Sequence, residues 1–226
     1  MTKAILFDLD GTLADTVPLI AEQISAAITA HARPVSAAAV VPYIGVPLIV
    51  TLTDLSGLPA EDERIAAITD HYFSAWDVAV VEHGPALLLP GVADLLADLR
   101  SAGIPTGVVT AKDTGPAIEL LEAMGIADVV DVVVGTDLVA NGKPEPDSAL
   151  LALERLGATA ADSWYVGDAA SDIAMAIASG LRPVGITTGA ALHEELVAAG
   201  ADIVIAHASE VLTLLTDDQL SATAPR

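Results

Sequence analysis

Residues Ala4–Thr12 form the sequence AILFDLDGT, in which a short apolar run leads into two aspartates and a turn. The apolar run, bounded by Asp-Gly, predicts a buried β-strand. Residues two apart on a strand point to the same face, so Asp8 and Asp10 should emerge together at its carboxyl end. Two carboxylates that close repel each other unless a cation lies between them, and Gly11 permits a sharp turn. The segment therefore predicts a site for a hard metal ion and a phosphate group.

The rest of the chain falls into two parts with different patterns. Between about Ala14 and Gly84 no convincing strand appears, and residues 16–32 and 61–81 have apolar residues at helical spacing, which predicts an all-helical insertion. Pro34, Pro42, Gly45 and Pro47 are expected to break the chain between these two stretches into short pieces. From Pro90 onward short apolar runs alternate with helical patterns, which implies a parallel sheet covered on both faces. The predicted strands are 104–110, 129–134, 164–166, 184–186 and 203–205. We therefore expect an α/β fold, with a doubly wound, Rossmann-like parallel-sheet core formed by residues 1–14 and 85–226 and the helical insertion at 15–84.

The composition limits the classes of function. The chain of 226 residues contains no cysteine, which excludes disulfides, thiolate metal sites and cysteine nucleophiles. Its 31 acidic and 9 basic residues give a net charge of -22, so its surface should repel nucleic acid and anionic membranes. No uninterrupted apolar stretch reaches the ~18 residues of a membrane span. The first residues run directly into the predicted strand without a leader pattern, so we expect a cytoplasmic protein.

Three more polar segments follow apolar runs in the second part of the chain. Thr110 ends one run, and its hydroxyl could bind phosphate oxygens, although threonine here is also typical of a helix cap. Lys143 is one of only three lysines, and Pro144 and Pro146 after it stiffen its loop. Asp168 ends another run, and Asp172 follows one helical turn later, where acidic residues also occur as simple helix-start residues. Ligands of parallel sheets bind at the carboxyl ends of strands, so these segments could share one site.

Together the four segments resemble the signatures of the haloacid-dehalogenase superfamily of aspartate-nucleophile phosphatases. They occur in the family's order: Asp-x-Asp-Gly-Thr, a threonine or serine after the second strand, lysine before proline, and Gly-Asp-x-x-x-Asp. Asp15 matches members with a small helical cap, and the insertion lies where that cap would be. Tyr43–Leu48 resembles a cap segment of phosphoglycolate phosphatases and their neighbours. Many of these have Thr-Asn-Lys where this chain has Thr110-Ala111-Lys112.

The resemblance implies a role for each catalytic residue. Asp8 would attack phosphorus and form an aspartyl-phosphate, while Asp10 would protonate the leaving alcohol and then activate water. Lys143 would offset the developing negative charge. The cofactor implied is Mg²⁺, held by the carboxylates of Asp8 and Asp168 and the backbone carbonyl of Asp10. Asp172 is either a further metal ligand or a hydrogen-bond acceptor beside the metal.

The resemblance also implies how the substrate is held. A small phosphorylated metabolite would have its phosphate bound at Thr110, Lys143 and the loop backbone, and the cap would cover its organic part. The implied phosphate-binding residues are Gly11, Thr12, Thr110, Ala111 and Lys143. Tyr43 and Gly45 are the residues expected to contact the organic part. The histidines and arginines of the insertion are expected to face solvent.

We therefore expect a Mg²⁺-dependent phosphatase, with two alternatives. A phosphomutase of the same superfamily, similar to β-phosphoglucomutase, would use the same aspartates but return the phosphate to a sugar. A non-enzymatic phospho-aspartate switch also combines acidic pairs, threonine and lysine on a parallel sheet. The large insertion after the first strand and the late second carboxylate pair argue against the switch. The substrate and the oligomeric state stay open at this point.

Overall fold

The apolar run at the start of the chain forms β1 (Ile5–Phe7), and all three of its residues are buried. The other strands are β2 (Thr106–Val109), β3 (Val132–Val134), β4 (Trp164–Gly167), β5 (Arg182–Ile186) and β6 (Ile203–Ile205). They form one sheet in the order β3-β2-β1-β4-β5-β6, with every pairing parallel. This computed structural model describes residues 3–215, so the predicted core beyond residue 215 lies outside the described part.

Helices cover both faces of the sheet. They are α1 (Val17–His31), α2 (Ala37–Val40), α3 (Leu48–Ser56), α4 (Glu63–His83), α5 (Val92–Ser101), α6 (Thr114–Ala123), α7 (Asp147–Leu156), α8 (Ala170–Ser179) and α9 (His193–Ala199). Side chains along β1 point alternately to the two faces of the sheet, so the hydrophobic core consists of two clusters. Ile5 and Phe7 belong to the cluster with α1, α5 and α6, whereas Leu6 belongs to the cluster with α7 and α8. The predicted α/β fold with a doubly wound parallel sheet is confirmed.

The insertion after β1 is helical throughout and consists of α1 to α4. The nine-residue helix α3 was not predicted, because Pro47 was interpreted as a break in the chain. Pro47 instead lies at the N-cap of α3, where a backbone N–H is not needed, and Gly57 ends the helix with a φ of 75°. No helix within residues 3–215 is long and apolar enough to cross a membrane.

Two adjacent chain segments connect the insertion to the sheet. The backbone N–H of Asp15 donates to the carbonyl of Leu87 at 2.7 Å, and the N–H of Leu89 donates to the carbonyl of Leu13 at 3.0 Å. These segments lie at the predicted boundaries of the insertion. Both connections therefore leave the sheet next to the aspartates that follow β1.

At the opposite end of β1, Ser163 ties this strand to β4. Its hydroxyl accepts a hydrogen bond from the N–H of Ala4 at 3.0 Å and donates to the carbonyl of Thr159 at 2.7 Å. Ser163 is fully buried, so water cannot replace either bond.

Replacing Ser163 should destabilise the fold. Ser163→Ala leaves the buried N–H of Ala4 without an acceptor, and we expect the free energy of unfolding to fall by about 1–3 kcal/mol. Urea denaturation followed by circular dichroism measures the change. Ser74→Ala, at an exposed position of α4, is the matched control and should change it by less than about 0.5 kcal/mol. Equal effects of the two substitutions would contradict the role assigned to Ser163.

Candidate active site

The predicted site residues meet at the carboxyl edge of the sheet. Asp8 follows β1, Thr110 follows β2, and Asp168 follows β4. Lys143 lies in the loop before α7, and Asp172 lies in the first turn of α8. All five are buried. The parallel sheet places these side chains, which are far apart in sequence, at one edge.

Lys143 lies between two carboxylates at the centre of this edge. Its Nζ is 2.9 Å from Oδ1 of Asp8 and 2.7 Å from Oδ1 of Asp172. Burial alone would lower the pKa of Lys143, but Asp172 and Asp8 raise it above its ordinary value. The lysine therefore stays charged. Burial raises the pKa of Asp8 well above its usual range, although Lys143 opposes this.

Asp172 is held in place from three directions. Besides Lys143, its Oδ1 accepts a hydrogen bond from the hydroxyl of Tyr165 at 3.0 Å, and its Oδ2 accepts one from the N–H of Ala169 at 3.0 Å. The Tyr165 hydroxyl also lies 2.9 Å from the carbonyl of Val109. Both carboxylate oxygens of Asp172 are thus engaged by the protein.

Asp168 is enclosed by two loops. Its Oδ1 accepts from the hydroxyl of Thr12 at 3.0 Å, and its Oδ2 accepts from the N–H of Ala190 at 2.8 Å. Thr188, next to the second loop's glycine, donates its hydroxyl to the carbonyl of Gly11 at 2.6 Å. A Cβ at Gly189 would overlap the carboxylate of Asp168, so this position requires glycine. This loop was not predicted from the sequence, where its signal is limited to a Thr-Thr-Gly run after β5.

Asp10 faces the helical insertion rather than the buried cluster. Its Oδ1 accepts from the hydroxyl of Thr16 at 2.7 Å, and its Oδ2 is 3.4 Å from Nζ of Lys112. That ammonium also lies over the ring of Trp76 in α4, 4.1 Å from the ring centroid. Lys112 and Trp76 were not predicted as site residues. Two signals in the sequence pointed to Lys112: lysine is rare in this chain, and Lys112 follows Thr110 in the Thr-Ala-Lys segment.

A cavity of about 430 Å³ opens beside Asp10, between the sheet edge and the insertion. The predicted contact residues Tyr43, Gly45 and Ala111 all line it. Gly45 has a φ of 89°, which favours glycine at this position. The predicted phosphate ligands Thr110 and Thr12 lie deeper and are buried. The histidines and arginines of the insertion do not belong to the residues that line this cavity.

The buried carboxylates fit a hard divalent cation. Asp8, Asp168 and Asp172 each offer an oxygen, and these atoms lie within 4.8 Å of one another. Apart from its ion pair with Lys143, Oδ1 of Asp8 has no hydrogen-bond partner although it is buried. Three buried carboxylates face one ammonium, and this arrangement favours the binding of a further positive charge. An all-oxygen donor set of this kind suits Mg²⁺ or another hard ion.

Comparisons with known proteins agree with this geometry. A family model described as haloacid dehalogenase-like hydrolase matches residues 5–186. A probable phosphatase, IndB, of Dickeya dadantii (strain 3937) is 37% identical across 94% of this chain and 93% of the relative. A phosphoglycolate phosphatase of Shigella boydii serotype 4 (strain Sb227) is 35% identical across 94% and 92%.

The fold is also found in a solved structure with another activity in its name. The β-phosphoglucomutase of Clostridium difficile covers 98% of this chain and 100% of its own length, with a TM-score of 0.82. At 20% identity this is a likeness of fold alone. The family match across most of the chain and the two relatives decide the assignment, and the chain belongs to the haloacid dehalogenase-like hydrolase family.

Proposed function

We propose that the protein is a Mg²⁺-dependent phosphatase that hydrolyses a small phosphorylated metabolite through an aspartyl-phosphate on Asp8. The observation that carries the proposal is the buried carboxylate of Asp8. It is paired with Lys143 and lies beside Asp168 at the carboxyl edge of the sheet. Both curated relatives are named as phosphatases. A carboxylate that is fixed, partly unpaired and next to a cation site is suited to attack a phosphorus atom.

The proposed reaction divides the work between the two aspartates. An oxygen of Asp8 forms a bond to phosphorus while the bond from phosphorus to the ester oxygen breaks, and Asp10 gives its proton to that oxygen. Asp10 then accepts a proton from the water that attacks phosphorus, which releases phosphate and restores Asp8. Asp10 suits this role because its carboxylate lies at the cavity, where the hydroxyl of Thr16 orients it.

The metal site is proposed to use Asp8, Asp168 and the backbone carbonyl of Asp10. Bound there, Mg²⁺ would neutralise charge on the transferring phosphoryl group. Asp172 is proposed to position Lys143 rather than to bind the metal, because its Oδ1 is paired with the Lys143 ammonium at 2.7 Å and also accepts from the hydroxyl of Tyr165. Lys143 then presents its charge to Asp8 and to the phosphoryl oxygens.

The substrate is proposed to bind between core and cap, with residues 15–84 acting as the cap. Thr110, with the backbone of Gly11, Thr12 and Ala111, would donate to the phosphate oxygens. Tyr43 and Gly45 are proposed to contact the organic part, since both line the cavity. A cytoplasmic location, where small phosphorylated metabolites are found, remains part of the proposal.

Removing the nucleophile tests the proposal directly. Asp8→Asn should lower Mg²⁺-dependent phosphate release from small phosphate esters about a thousandfold or more, because an amide does not form the covalent intermediate. A phosphate-release assay measures this, and circular dichroism checks that the fold is kept. Asp94→Asn, at an exposed position of α5, is the control and should keep full activity. Turnover by Asp8→Asn close to that of the unmodified protein would rule out this nucleophile.

The affinity for Mg²⁺ should depend on pH. Without metal, burial and the carboxylate of Asp172 raise the pKa of Asp168 to about 7. Its proton must leave before the carboxylate can bind a metal, so affinity should rise by up to about tenfold per pH unit as the pH approaches that pKa from below. Isothermal titration calorimetry at several pH values measures the trend, and Asp168→Asn should make it shallower. An affinity that does not change across this pKa would contradict the assignment of Asp168.

Shortening Tyr43 tests the cap side of the site. Tyr43→Ala should raise KM for the best substrate about tenfold, the change that a loss of about 1.4 kcal/mol of binding produces. Val41→Ala, in the same short 3-10 helix but away from the cavity, serves as the control. Steady-state kinetics of both variants give the comparison. An unchanged KM in Tyr43→Ala would show that this segment does not contact the substrate.

A phosphomutase is the second candidate, because the fold is shared with a protein named β-phosphoglucomutase. Such an enzyme would return the phosphoryl group from Asp8 to a sugar, so free phosphate would not accumulate. A phospho-aspartate switch would keep the group on Asp8 far longer than the seconds or less of an enzyme. Measuring free phosphate and the lifetime of phosphorylated Asp8 distinguishes all three functions.

A further inference from the structure

Lys112 is a half-buried cation whose charge is incompletely paired. Its side chain is only 12% exposed, yet its nearest carboxylate oxygen, on Asp10, is 3.4 Å away. Charge-assisted hydrogen bonds from an ammonium are about 2.7–2.9 Å long. The ring of Trp76 contacts a second side of the ammonium. Because an ammonium has three N–H donors, Lys112 has capacity for another partner.

Among the residues that the structure describes, no other cation lines the cavity beside Lys112. Its charged lining residues are Asp10, Lys112 and Asp113, and Asp113 is exposed. Much of the remaining wall is apolar, with Ile20 and Phe73 among its residues. A negative group that enters an apolar cavity loses its hydration and must be paired to be tolerated. Lys112 is therefore the position on this wall that can neutralise the charge of such a group.

Resting on the proposed phosphatase function, we propose that Lys112 determines specificity by binding a second anionic group, such as a carboxylate, on the leaving part of the phosphate ester. The ammonium is next to Asp10, which is assigned to the ester oxygen. The second anionic group therefore lies within a few atoms of that oxygen, and the preferred substrates are short. Trp76 positions the ammonium from the cap side, so the cap and the core recognise the group together.

A matched pair of substrates tests this inference. Phosphoglycolate and ethyl phosphate have the same two-carbon frame and differ by a carboxylate in place of a methyl group. We expect the unmodified protein with Mg²⁺ to prefer phosphoglycolate in kcat/KM. In Lys112→Met the ratio of kcat/KM for the two esters should fall at least about tenfold, as expected for the loss of a charge-assisted hydrogen bond.

The control removes the other lysine that lies over a tryptophan ring. Nζ of Lys3 is 5.9 Å from the ring centroid of Trp164, at the opposite end of the sheet from the cavity. Lys3→Met changes the net charge equally and should leave the ratio unchanged.

Two outcomes would overturn the inference. If the unmodified protein hydrolyses both esters without preferring phosphoglycolate, Lys112 does not select an anionic group, and the phosphatase function still stands. The same conclusion follows if the ratio of kcat/KM for the two esters is equal in Lys112→Met and in the unmodified protein. If no phosphate ester is hydrolysed at all, the proposed function fails together with this inference.

Discussion

The ion pairs of Lys143 are the interaction on which the rest of the site depends. Its ammonium is buried between Asp8 and Asp172, and neither a buried lysine nor a buried carboxylate is stable there alone. Together with Asp168 the group still carries excess negative charge. The cluster is therefore suited to bind a further positive charge. A metal ion at this place would balance the site and prepare it for a phosphate group.

The topology of the sheet explains how site residues that are far apart in the sequence come together. β1 lies between β2 and β4, so the residues that follow these three strands share one edge. The insertion leaves the sheet directly after Asp10, and Thr16, just before α1, holds the carboxylate of Asp10. The segment that carries the proposed acid and base is thus also the connection to the cap. Movement of the cap would be transmitted to Asp10 through a few residues.

Much of the fold and the signature residues could be predicted because their signals are local. An apolar run that ends in Asp8 predicts both the strand and the position of the carboxylate. The loop at Gly189 and the contact between Lys112 and Trp76 could not be predicted, since each joins residues far apart in the sequence. The start of β3 at residue 132 rather than 129 has a local cause, because Ala127–Val129 form a short 3-10 helix.

Phosphorylation of Asp8 during turnover can be detected directly. Acyl phosphates are reduced by borohydride, so quenching the reaction with borohydride should convert the side chain of residue 8 to homoserine. Mass spectrometry of the peptide that contains residue 8 detects this change. Homoserine is expected at this position only when a phosphate ester and Mg²⁺ are both present. Phosphate release without any homoserine at residue 8 would show that Asp8 is not the nucleophile.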